Sequence, residues 1–118
     1  MIENQTPSIL NELVGSELSS VEFVRDYIQF HFDGPWLTTL TLPSVRNGTG
    51  HLRAIDPGYR DALCGQIGIE VAGVGLTEEE LTVRFSDAVV FVVSLRDEDY
   101  TGPEAINFCG ADGRLLVF

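Results

Sequence analysis

Ile28-Gln29-Phe30-His31-Phe32-Asp33-Gly34-Pro35-Trp36-Leu37-Thr38-Thr39-Leu40-Thr41-Leu42 is the stretch that decides the fold. From Ile28 to Phe32 apolar and polar residues alternate, which is the period of a half-buried strand and not of a helix. Asp33-Gly34-Pro35 supplies turn residues that stop the pairing. The run from Trp36 resumes it, and its alternation predicts that Trp36, Thr38, Leu40 and Leu42 share the inner face of a hairpin.

The same design returns 53 residues later. Leu81, Val83 and Phe85 stand at the spacing of Ile28, Phe30 and Phe32. Ser86-Asp87 sits where Asp33-Gly34 sat, and Val89, Phe91, Val93 and Leu95 answer Trp36, Thr38, Leu40 and Leu42. Upstream, an offset of 50 aligns Pro7 with Pro57, Leu13 with Leu63, Gly15 with Gly65 and Val21 with Val71. In both copies a capping residue and Pro open a short helix that a Gly closes, at Thr6-Pro7 and Gly15 and at Asp56-Pro57 and Gly65. The expected architecture is α+β and mainly β, a single domain over 1–118. It has two tandem helix-strand-strand-strand units, 6–42 and 56–95, related by an approximate twofold. Six to eight strands and two short helices follow from that reading.

Working outward, Leu18, Val21 and Phe23 mark a strand ahead of the meander, turning at Arg25-Asp26. Residues 43–55 are polar, Gly-rich and locally basic, and read as a mobile hinge between the units. Gly48-Thr49-Gly50 lacks the third glycine and the flanking elements of a dinucleotide fingerprint. Ile67, Ile69, Val71 and Val74 mark the next strand, and Thr77-Glu78-Glu79-Glu80 an acidic connection. Asp112-Gly113 is a hairpin signal inside a C-terminal hairpin, 105–118, that has no counterpart in the first half of the sequence pattern. If Leu115-Leu116-Val117-Phe118 alternates as a strand, two of these side chains need cover from elsewhere.

With 118 residues and 44% hydrophobic content, the chain can bury a core without a metal or disulfide staple. Cys64 and Cys109 lack Cys-x-x-Cys spacing and histidine neighbours, so reduced, buried thiols are expected. Seven arginines, no lysine and 18 acids give a net charge of −11, which repels phosphate backbones and makes nucleic acid an unfavourable partner. The absence of Lys removes Schiff-base chemistry and a Walker-type phosphate lysine. Met1-Ile2-Glu3-Asn4-Gln5 has no leader character, and no apolar run approaches the ~18 residues of a membrane span, so a cytoplasmic protein with no membrane partner is expected.

Reaction-centre motifs are missing: there is no Gly-x-Ser-x-Gly, no His-Glu-x-x-His and no calcium loop. His31 falls on the polar face of its strand and His51 in the hinge. Asp97-Glu98-Asp99 has carboxylates at alternate positions but not the glycine or distal acid of a calcium loop. Arg–carboxylate pairing with Arg96 explains it, and neither metal nor cofactor is called for. The candidate binding residues are Trp36, a turn-side aromatic of the kind interfaces favour, together with Arg96, Asp97 and Tyr100.

The phrases 23–35 (Phe23-Val24-Arg25-Asp26-Tyr27 onward), 56–64 (Asp56-Pro57-Gly58-Tyr59-Arg60 onward) and 94–105 (Ser94-Leu95-Arg96-Asp97-Glu98 onward) resemble those of a family of short, uncharacterised bacterial proteins. That resemblance implies no activity. At the level of fold, the helix 9–15 ahead of a strand meander is similar to Sm-like proteins, whose bent, partly open barrel is the alternative architecture. The expected function is a small acidic, non-catalytic module that binds a protein partner or forms a homo-oligomer, with an immunity- or antitoxin-like role against a basic partner suiting the charge. The alternatives are a small enzyme with a carboxylate/His/Tyr site and an Sm-like RNA-binding protein.

Overall fold

A computed structural model describes residues 8–118, and the Thr6-Pro7 cap expected for the first helix lies outside the described residues. A short 3₁₀ helix, Ser8–Leu13, leads into β1 (Leu18–Val24), β2 (Tyr27–Phe32), β3 (Trp36–Thr39), β4 (Ser44–Asn47) and β5 (Gly50–Leu52). Helix α1 (Tyr59–Cys64) then leads into β6 (Val71–Leu76), β7 (Glu80–Phe85), β8 (Val90–Ser94), β9 (Ile106–Cys109) and β10 (Leu115–Val117). The fold is mainly β with few helical residues, as expected, but with ten described strands where six to eight were anticipated. They form two five-stranded antiparallel sheets, ordered β1-β2-β3-β9-β10 and β5-β4-β8-β7-β6.

Two extra strands come from residues 43–55, which form the β4–β5 hairpin and not a loop. Its sequence hid it because only Val45 of β4 is buried, so no alternation is visible. The C-terminal hairpin therefore has a counterpart. Each sheet joins a three-stranded meander from one half to the hairpin that follows the other half: β3 pairs with β9, and β8 pairs with β4. Renumbering β1–β5 as β6–β10, and the reverse, turns one strand order into the other.

The offset of 53 extends further upstream than the sequence pattern indicated. Leu18 pairs with Phe32 and Val71 with Phe85, each beside a bulge, so Leu18 and not Val21 corresponds to Val71. Where the halves meet, Gly15 N–H donates to Val71 O at 2.9 Å and Gly68 N–H donates to Leu18 O at 2.7 Å. Val71 N–H donates to Ser16 O at 2.8 Å and Leu18 N–H to Ile69 O at 3.3 Å. Replacing each residue i by i+53, or the reverse, maps each of these pairs onto the other. Glu17, bridged to Glu70, faces its own counterpart. This is how a self-complementary contact between two like units is built. Gly15 and Gly68 turn the chain out of the helical segments at φ +90° and +89°, a region costly for residues with a Cβ. Gly68, and not Gly65, is thus the counterpart of Gly15. Ile67 and Ile69, expected in the strand, flank this turn instead, and the strand begins at Val71.

One expectation about the first hairpin fails. Leu37, Thr39 and Thr41 face the core, while Trp36 and Leu42 are both 42% exposed. The second copy carries an additional turn residue, Ala88 at φ +74°, which moves the offset from 53 to 54: His31 pairs with Trp36, and Arg84 with Val90. Leu37 and Thr39 thus correspond to Phe91 and Val93, which are buried as expected. Thr39 tolerates the core because its hydroxyl donates to Ile28 O at 3.1 Å. The expected opening of the second helix also shifts: α1 begins at Tyr59, with Gly58 at φ +84° as its cap, and Asp56 instead closes a turn by accepting from Arg53 N–H at 2.7 Å.

The inner faces of the two sheets meet in a single cluster of buried side chains. Phe30 of β2 and Phe85 of β7 both pack on Phe91 of β8, with ring centroids 5.3 and 4.8 Å apart. The 3₁₀ helix contributes Leu10 and Leu13, and α1 contributes Tyr59 and Leu63. Cys64 and Cys109 are free, but Cys64 is exposed, on the outer side of α1, where a buried thiol was expected. Leu115 and Val117 point outward at 69% and 46% exposure, while Leu116 and Phe118 pack on the core.

Candidate functional site

A concavity of about 880 Å³ opens beside the β4–β5 hairpin, where β4 pairs with β8. The β1–β2 turn brings Arg25 and Asp26 to it, the crossover from β3 to β4 brings Leu40, Thr41, Leu42 and Pro43, and β4 and β5 bring Ser44, Arg46 and His51. Arg53 and Ala54 follow β5, and Val92, Ser94 and Arg96 come from β8 and its exit. The crossover is held from beneath by Tyr59, whose hydroxyl donates to Pro43 O at 2.5 Å and whose burial pushes its pKa above the ordinary tyrosine range. It is fixed on the other side by Thr101, whose hydroxyl donates to Leu40 O at 3.3 Å.

Charge in this cleft departs from the rest of the molecule. Four arginines line it, Arg25, Arg46, Arg53 and Arg96, against four carboxylates, Asp26, Glu79, Glu80 and Asp99. The whole net charge of −11 therefore resides elsewhere. Arg96 is engaged by Glu79 at 3.3 Å and Glu98 at 3.9 Å, and Arg53 by Asp56 at 3.7 Å. Among the described residues Arg25, Arg46 and His51 have no ion pair or side-chain hydrogen bond. Asp99 accepts from Ser94 Oγ at 2.5 Å. Thr41 Oγ1 is buried without a partner among the described residues.

A smaller depression continues from the cleft. Phe23, Tyr27, Tyr59 and Arg60 line it, and it shares Arg25, Leu42 and Ala54 with the cleft. The Arg60 guanidinium lies 5.2 Å from the centroid of the Phe23 ring, a cation–π arrangement at the surface. Phe23 is 37% exposed and Ile55, next to Ala54, is 79% exposed.

The four candidate residues of the sequence do not converge. Trp36 lies at the start of β3 on the outer face of the other sheet, its ring edge against His31, 5.4 Å between centroids. His31 is half-exposed there, 3.5 Å from Glu22. Arg96 alone lines the cleft. Asp97 opens a 3₁₀ turn, Asp97–Asp99, outside it, and Tyr100 packs partly buried on the core and lines a separate depression with Leu76, Leu95 and Phe118. Among the described residues no group of three or more His, Cys, Asp or Glu side chains is placed to hold a metal ion. Sequence reasoning missed Arg25, Arg46 and Arg53, although the basic character of 43–55 against an acidic background was their signal. No described helix is long and apolar enough to cross a membrane. In comparison with known proteins, no family model, no curated protein and no solved structure matches the chain.

Proposed function

We propose that the chain is a small non-catalytic binding module that meets its partner, a protein or a second copy of the chain, through the cleft and its apolar rim. The observation that carries this reading is the composition of that face. Exposed Phe23, Leu42 and Ile55 stand beside Arg25, Arg53 and Arg60, and aromatic residues and arginine are the types enriched where proteins bind one another. A small enzyme is the weaker reading, because His51 meets neither Asp97 nor Tyr100 in the cleft. An immunity- or antitoxin-like role against a basic partner would call instead on the acidic remainder of the surface, outside the cleft, and an Sm-like role in RNA binding has the least support because that surface repels phosphate.

Self-association through β10 is a second reading with its own observation. That edge strand presents Leu115 and Val117 outward and pairs on one side only, with β9. Affinity capture from the native host, with wild type beside Leu42→Asp, Ile55→Asp and Leu115→Glu, separates the two. The cleft reading expects the first two substitutions to abolish capture in a protein that keeps its circular dichroism. Capture that survives both and is lost with Leu115→Glu would refute it.

A further inference from the structure

We propose that the cleft contains an oxyanion subsite, built by Arg25 and Arg46 with Arg53 and His51 beside them, for a carboxylate or phosphate group on a small ligand that also carries hydrogen-bond donors. This rests on the reading that the cleft is a binding face, and it adds a small ligand held in the cleft to the partner that meets its rim. In a chain with 18 acids and seven arginines, four arginines and one of the two histidines converge on one concavity. Among the described residues Arg25 and Arg46 find no carboxylate there, whereas Arg114 on the second hairpin is held by Glu12 at 2.9 Å and Asp112 at 2.7 Å. An unpaired guanidinium keeps its planar fork of donors free, and that fork matches carboxylate and phosphate oxygens two at a time.

The fold supplies an internal control. Strand register equates Arg25 with Glu78, Arg46 with Cys109 and His51 with Leu115. The same backbone is therefore built at the corresponding positions without a cation, so these cations are not a requirement of the architecture. The carboxylates narrow the ligand. Glu79 and Asp99 are occupied by Arg96 and Ser94, while Asp26 and Glu80 have no side-chain partner among the described residues. Two free carboxylates repel a run of phosphates such as a nucleic-acid backbone, and accept hydrogen bonds from an ammonium or hydroxyl beside a single oxyanion.

Titration by NMR with O-phosphoserine and, separately, with glutamate tests the subsite, each probe carrying an oxyanion and an ammonium group. Wild type is expected to saturate with at least one probe, which also tells phosphate from carboxylate. Arg25→Gln and Arg46→Gln are each expected to weaken binding by more than about tenfold, the scale of a charge-assisted pair. Arg84→Gln, which changes the net charge equally but lies outside the cleft lining, is expected to bind as wild type. All three side chains are exposed, so a retained spectrum confirms that each variant folds. Absence of saturation with both probes would overturn the proposal, as would equal weakening in all three variants or wild-type binding by Arg25→Gln and Arg46→Gln. Saturation with unchanged arginine dependence in an Ile55→Asp variant, whose substitution lies outside the cleft lining, that no longer captures its partner would show that the two readings are separable.

Discussion

The two exchanged hairpins occupy corresponding places and have become different things. In β9, Ile106 and Phe108 are completely buried, and its turn is tied to the 3₁₀ helix, where Glu12 accepts from Ala111 N–H at 3.0 Å and from Arg114 at 2.9 Å. In β4 only Val45 is buried; Arg46 and Asn47 are exposed, and Arg46 with His51 of β5 lines the cleft. One hairpin completes the core and the other carries side chains that the core does not need. A fold assembled from two like halves can leave stability to one copy and recognition to the other.

The largest expected effect exposes that division in stability. Phe108→Ala empties a fully buried site and is expected to cost about 3–5 kcal/mol in urea unfolding. Its counterpart Val45→Ala removes two methyl groups, for a loss of about 2 kcal/mol. Equal losses would contradict the division of roles.

Next come Gly15 and Gly68. A Cβ at either meets nothing within 4 Å, so alanine there carries only the cost of its positive φ. Each substitution is expected to lose about 1–2 kcal/mol, and by the same amount, because the two turns are built alike. A loss at one position and none at the other would break the correspondence at the contact between the halves.

Thr41 gives a smaller effect of opposite sign. Its buried, unpartnered hydroxyl stands where the second half has Leu95. Thr41→Val is expected to raise stability by about 1 kcal/mol by removing an unsatisfied polar group without changing its shape, measured as a higher urea midpoint at unchanged slope. A loss of stability would mean that the hydroxyl is satisfied in solution.

Much of the meander was legible because period-2 alternation is local: β2 and β7 bury Ile28, Phe30, Phe32 and Leu81, Val83, Phe85 as their spacing indicates. The failure in β3 has a physical source. Along β3 and the crossover after it the buried side carries Thr39 and Thr41 and the exposed side Trp36 and Leu42, so counting apolar residues selects the wrong side. The exchange of hairpins was beyond reach, since alternation reports which face a strand buries and not which strand it pairs with. The cleft was illegible for a related reason. Arg25, Arg46 and Arg96 lie on three separate segments, the β1–β2 turn, β4 and the exit of β8, and the candidate group around Arg96 was assembled from sequence neighbours, Asp97 and Tyr100, that the 3₁₀ turn directs elsewhere.

Mapping amide shifts on the full chain during the O-phosphoserine titration tests most directly the claim that one of two corresponding hairpins carries the site. The expected result is saturable shifts at residues 25–26, 44–46 and 51–53, with residues 107–117 unmoved. Shifts of equal size on the β9–β10 hairpin, or shifts confined to it, would contradict the account.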